Sequence, residues 1–287
     1  MIKTGENIGK RKHLDRVFHA IIFVATLVGI IFLIVLLWKI FKEGLPWLNV
    51  KFLLSYPSRF PERAGIYSAI VGTLWTISLT ALIAFPLGIA TAIYLEEYSR
   101  KDSWYNRLLQ LNILNLAGVP SIVYGILGLG LFVKLFSLGR SILAASLTLA
   151  LLILPVIIVS SQEALRTVPK TLREASYALG ATRWQTVSRV VVPAALPTIF
   201  TGTILALSRA IGEAAPLIMV GAAAYMPFLP KSIFDNFTTL PIQIFNWTSR
   251  PQKEFQGLAA AGIIVLLAIL LTANALAIIL RDKTRKV

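Results

Sequence analysis

Seven stretches of this sequence, 17–38, 64–95, 108–133, 141–162, 190–208, 214–230 and 255–280, contain no Asp, Glu, Lys or Arg. A helix needs about 20 apolar residues to cross the roughly 30 Å hydrocarbon core of a bilayer, and lipid offers the backbone no outside hydrogen-bond partner, so runs of this length dictate transmembrane helices. Composition agrees. Hydrophobic residues make up 56% of the chain, charged residues only 14%, and the mean hydropathy is +0.76, whereas an ordinary soluble domain carries about 25% charged residues. Nothing between the runs is long enough for a soluble domain, so the expected fold is an all-α integral membrane protein with one membrane domain.

The formal charge of +15 does not mark a nucleic-acid binder, because the basic residues are dispersed between apolar runs instead of gathered on one face with interleaved aromatics. They mark topology. Five runs read directly as spans; 190–208 and 214–230 are either two helices or one helix over 198–222 with Arg209 and Glu213 near its centre. With six spans, 17 of the 28 Lys and Arg fall on the side of the N-terminus and 10 on the other, with Arg209 inside a span. Basic residues concentrate in cytoplasmic segments, so six transmembrane helices with both termini cytoplasmic are expected. Seven would carry the basic tail RDKTRK outside. The layout is then a cytoplasmic segment 1–16, a first transmembrane helix 17–42, a five-helix core 64–280 with a cytoplasmic loop 163–193 and an outer loop 223–258, and a tail 281–287.

The first apolar run follows a basic start, but its 22 residues exceed the 7 to 15 of a signal-peptide core and end without a small-residue cleavage site, so it is expected to stay as an anchor. Pro86, Pro120 and Pro155 lie inside spans and are expected to kink them. Gly125, Gly128 and Gly130 are expected to admit close helix packing. With no cysteine and two histidines, disulfides and thiol chemistry are excluded and no metal site is expected.

Residues 163–193, EALRTVPKTLREASYALGATRWQTVSRVVVP, carry both signs of charge and read as helix, glycine elbow, helix. Thr167 is expected to cap a first helix entered through Pro169. Gly180 tolerates the left-handed conformation that stops it, and Thr182 caps a second helix leading toward Pro193.

The order Glu174-Ala175-Ser176, three residues, Gly180, nine residues, Val190, one residue, Val192-Pro193 resembles the EAA loop of ABC-transporter permeases. Ser176 stands for the family's second Ala, and Val190 and Val192 for its Ile and Leu. The segments AGVPSIVYGILGLG (117–130), LSRAIGEAAPLIMVGA (207–222) and TLPIQIFNWTSRPQKEF (239–255) are similar to the phosphate-transporting branch of that family. The resemblance implies the type I importer permease fold, also called MetI-like, in a bacterial or archaeal plasma membrane. It also implies that Glu174, Ala175, Ser176, Gly180, Ala181 and Thr182 couple the chain to a cytoplasmic ABC ATPase dimer. A homologous second permease and an extracytoplasmic phosphate-binding protein complete the expected complex, with the outer loop 223–258 a candidate docking face for the latter. No GxxxxGK[ST] stretch is present, so the chain has no nucleotide cradle of its own. No cofactor is expected in it, ATP and Mg being bound by the partner ATPase.

A central arginine costs on the order of 2.5 to 3.5 kcal/mol on membrane-insertion scales, so Arg209 is expected to avoid lipid. One reading is a self-satisfied i, i+4 pair with Glu213 that pins helix packing. The other places Arg209 on a substrate path, where its planar fork of donors matches phosphate oxygens; Glu213 then either holds the guanidinium while no anion is present, the favoured role, or accepts from a proton-bearing oxygen of hydrogen phosphate. In the resembling family the Arg and Glu of this segment are tied to transport, which favours the second reading. A permease for molybdate or sulfate, or a secondary anion transporter, remains the alternative.

Overall fold

The computed structural model describes residues 8–100, 103–223 and 225–284; the outermost residues of both expected cytoplasmic ends lie outside them. Among the described residues all regular structure is helical. In chain order the helices are α1 (Ile8–Gly44), α2 (Val50–Leu54), α3 (Tyr67–Ile93), α4 (Trp104–Ala117), α5 (Ser121–Gly128), α6 (Ile142–Thr167), α7 (Lys170–Ala178), α8 (Arg183–Thr186), α9 (Val192–Ile211), α10 (Ala215–Val220), α11 (Leu240–Thr248) and α12 (Lys253–Thr284). Wider π-helical turns extend α3 through Tyr94–Tyr98, extend α5 through Leu129–Leu135 and join α8 to α9 through Val187–Val191.

Among the described residues five helical rods are long and apolar enough to cross a bilayer, or six if α4 and the extended α5, bent by 104° against each other, are counted as one span. The stretch 108–133 is therefore not the single kinked span expected. Gly118 and Pro120 explain the difference: α4 stops at Ala117, and the extended conformation of Pro120 starts α5 in a new direction. The Tyr124 hydroxyl donates to the Leu116 carbonyl at 2.7 Å and holds the corner. Pro86 and Pro155 do lie inside helices.

α6 is the central post, with the most apolar window of its span 67% buried. Ile142, Ala145, Leu149, Leu152, Ile153 and Ile157 fill the space between it and α3, α5, α9 and α10. α3 runs parallel to it, tied through the Ser146 hydroxyl to the Thr76 carbonyl at 3.1 Å, while α9 runs antiparallel, Gly202 lying against Ser160. α1 is almost wholly uncovered along its apolar length and meets α12 where Gly44 abuts Ala260. One end of the bundle is closed by residues of the 223–239 segment: the Asp235 carbonyl accepts from the Ile142 N–H at the start of α6, and the Phe237 carbonyl accepts from the Ala223 N–H, three residues past α10. The other end carries α7 and the turns beside it.

Packing at the expected glycines divides them. A Cβ on Gly125 would stand 2.7 Å from the Pro216 Cα, and one on Gly128 would run into the Thr148 side chain, whereas Gly130 has nothing within 4 Å. Gly128→Val is expected to destabilise the bundle by about 1 to 3 kcal/mol through overpacking. Gly130→Ala should leave the thermal unfolding midpoint in detergent unchanged, since it meets no neighbour.

Candidate functional site

The expected elbow forms at the end of the bundle opposite the 223–239 cap. α7 follows Pro169 and stops because Gly180 takes φ +81°, a conformation only glycine adopts at no steric cost. The Thr182 hydroxyl accepts from the Gln185 N–H at 3.3 Å, and the Gln185 side chain accepts from the Thr182 N–H at 2.8 Å, a reciprocal cap that starts α8. The Ser176 and Thr186 hydroxyls bond each other at 2.9 Å and fasten the two arms together. Ser176, where the resembling family has alanine, therefore closes the elbow. Glu174, Ala175, Gly180 and Thr182 are exposed and Ala181 is half-buried. Beside them Leu179 is 90% and Trp184 68% exposed, a protruding apolar knob at an otherwise polar tip.

Two local expectations are corrected. Thr167 does not cap α7; it ends α6, its hydroxyl turned back to the Ala164 carbonyl at 2.7 Å, and Pro169 takes the cap position. The second arm also does not end near Pro193. Residues Arg183–Ile211 form one continuous 29-residue rod, because the π-helical turn Val187–Val191 shifts the backbone ladder just where Pro193 brings no donor. Of the stretch 163–193, residues 163–167 thus belong to α6 and 183–193 to this rod. The outer stretch 223–258 likewise contains α11 and the first residues of α12.

Arg209 sits at the far end of the same rod, about 39 Å along it from Arg183 at 1.5 Å per residue. The single helix over 198–222 is not what forms. Helix α9 ends at Ile211, Gly212 and Glu213 form a break, and α10 resumes at Ala215. Gly212 and Pro216 encode the break: the proline ring, four residues on, excludes the helical position of the Gly212 carbonyl. The pair survives across it, with Arg209 Nε 3.3 Å from Glu213 Oε1.

The depth of the pair follows from its neighbours. Ala210 packs beside Thr73, Thr76 and Leu149, which lie about 9 to 14 Å along α3 and α6 from their starts at the capped end. On the other side Ser208 contacts Asn274 at 2.6 Å, about 15 Å short of the end of α12. Arg209 thus lies inside the bundle, nearer its capped end than the elbow. Its side chain is 47% exposed in the single chain and that of Glu213 17%, and it tops an uncovered stripe of the rod formed by Ala194, Thr198 and Leu205.

The charge pair and the elbow are not in contact; the rod joins them. What the sequence reasoning missed is at the elbow's base. Glu96 and Glu97, at the end of α3, bond Arg166 at 3.0 Å and Arg173 at 2.7 Å. The available signal was two adjacent acids directly after a span, in a chain with 13 acidic residues, opposite an arginine-rich loop.

The family model of binding-protein-dependent transport system inner membrane components matches residues 84–286. The chain belongs to that family, as its elbow motif implied. It is 36% identical to the phosphate transport system permease protein PstA 1 of Mycobacterium tuberculosis, covering 92% of this chain and 88% of that one. It is 39% identical to the probable ABC transporter permease protein YqgH of Bacillus subtilis, covering 76% and 73%. Among solved structures, a chain of a bacterial alginate ABC transporter superposes with a TM-score of 0.65 at 18% identity, over 95% of this chain and 97% of that one. A chain of the MetNI methionine ABC transporter gives 0.60 at 17% identity, over 77% and 94%. The expected MetI-like importer-permease fold is the one observed.

Thr182→Ala removes the reciprocal cap and is expected to cost about 0.5 to 2 kcal/mol locally. Faster amide hydrogen exchange at residues 183–186, with the rest of the rod unchanged, is the measurement that checks it.

Proposed function

We propose that this chain is the membrane permease subunit of an ATP-driven importer of inorganic phosphate. It forms half of the path and takes its energy from a separate ATPase that docks on the elbow. The observation that carries the anion path is the placement of Arg209: a permanent cation, half uncovered, inside a membrane bundle. Lipid is a poor neighbour for it, so the uncovered stripe that it tops faces a second protein surface or a water-filled path. A homologous permease laid against this stripe supplies the other wall. The similarity to permeases named for phosphate transport supports the choice of anion.

The chemistry suits that cargo. Guanidinium presents parallel donors to two phosphate oxygens and holds its charge at any working pH. Glu213, close enough to share a single weak hydrogen bond, keeps Arg209 compensated while no anion is present and yields when phosphate arrives. The exposed Glu174, Ala175, Gly180 and Thr182, with half-buried Ser176 and Ala181, form the ATPase-facing elbow, and ATP and Mg are held by that partner. The excess of basic residues on the elbow side supports a cytoplasmic elbow and cytoplasmic termini. The extracytoplasmic phosphate-binding protein then docks at the opposite end, on the stretch 223–258.

The test is ATP-driven uptake of radioactive phosphate by proteoliposomes holding the permease pair with its ATPase, supplied with binding protein. Arg209→Gln in complexes that assemble at wild-type yield is expected to lower uptake by about 100-fold, on the scale of losing a charged, poorly hydrated contact. Arg209→Lys should retain part of it. Uptake unchanged in Arg209→Gln removes Arg209 from the path.

A further inference from the structure

The base of the elbow is bolted to a helix that is covalently remote from it. At the end of α3 the π-helical turn Tyr94–Tyr98 buries Leu95 among Leu165, Val168 and Val191, and so brings Glu97 between the two arms of the elbow. From the first arm, Arg173 donates through Nη2 to the Glu97 carboxylate at 2.7 Å and to the Leu165 carbonyl at 2.9 Å, and through Nη1 to the Val168 carbonyl at 2.7 Å. From the second arm, Arg183 donates to the Glu97 backbone carbonyl and lies 5.1 Å above the Tyr98 ring. One residue of α3 thus receives both arms.

Burial decides which ion pair here matters. The Glu97 and Arg173 side chains are 10% and 18% exposed, so removing either charge leaves the other half-buried without its ion partner. The neighbouring pair of Arg166 with Glu163 is open to solvent, 44% and 67% exposed, and pairs of that kind contribute little.

We infer that Glu97 is a positioning residue for energy coupling: it ties both arms of the elbow to α3, so that displacement of the elbow moves α3 together with the Arg183–Ile211 rod. Without the bolt the elbow drives one wall of the bundle and slips against the other. The inference rests on the permease reading above and adds to it the second helix through which the push travels.

The experiment uses the complete importer in proteoliposomes, with phosphate uptake and ATP hydrolysis measured on the same sample. Glu97→Gln is expected to lower phosphate transported per ATP by about tenfold, a loss of the size that stranding a buried partner produces. Arg173→Gln should give the same fall and the double variant no further fall, because either change opens the same bolt. Glu97→Asp, which keeps the charge, should recover about half of the ratio, and Glu163→Gln should leave it within about twofold. If Glu97→Gln does not assemble, Arg183→Gln, which removes the second arm's hold on the Glu97 carbonyl and the Tyr98 ring, carries the test, with about a threefold fall in the ratio expected. A wild-type ratio in the assembled variant overturns the inference. So does a parallel loss of uptake and hydrolysis, which marks a purely structural role, or a double variant whose loss is the product of the two single losses. A wild-type complex with no ATP-driven uptake would instead sink the permease reading itself.

Discussion

A guanidinium held inside a membrane bundle sets the terms for what surrounds it. Arg209 cannot shed its charge and cannot be left against hydrocarbon without a penalty of several kcal/mol, so the fold must give it a carboxylate and an outlet. Glu213 supplies the first across a break in the helix. The uncovered stripe of α9 supplies the second. The break itself serves the pair: ending α9 at Ile211 leaves Arg209 in the final turn, where a cation meets the negative end of the helix dipole, and frees Glu213 from helical geometry.

The rod from Arg183 to Ile211 gives that local arrangement a mechanical context. An unbroken helix has its backbone donors and acceptors paired along its length, and it bends only where a proline, a π-turn or an inserted group interrupts the ladder. Here the π-helical turn and Pro193 fall near the elbow end, inside the region where the rod packs against Leu165 and Val168. The span above them, up to Arg209, is a regular helix despite Pro197. In the proposed importer, a push at the elbow would reach the charge pair through one element, without passing through a joint between separate helices.

Small residues let the neighbouring helices close around this rod. Gly125 and Gly128 bring the bent α5 onto α10 and α6, and Gly202 brings α9 onto α6. In a bilayer, where apolar burial gives no advantage over lipid contact, such close backbone approach and the hydroxyl-to-carbonyl bonds of Thr76 and Ser146 are what hold helices together. α1, with no buried side chains along its apolar window, meets the rest of the bundle chiefly where Gly44 abuts Ala260 on α12.

The resemblance of its motifs implied the family; the sequence by itself determined the solvent, the all-helical class, the five long spans and the elbow with its Gly180 stop and Thr182 cap. Each of these follows from composition, from run length or from residues within one turn of each other. Tertiary structure decided what those rules leave open. Pro120 reads as a kink from sequence, yet it becomes a corner of 104° because Tyr124 and the α6 surface hold both halves in place. Arg209 and Glu213 stand four apart in any reading, and Gly212 and Pro216 encode the helix end between them, but the place α10 then takes depends on its lying against Gly125. Glu97 belongs to the elbow only because α3 and α6 run parallel and end at the same level, a relation between residues 76 apart that no local periodicity encodes. Helix formation is a matter of neighbouring residues and their solvent, whereas contact between helices depends on the shapes of surfaces distant in the chain.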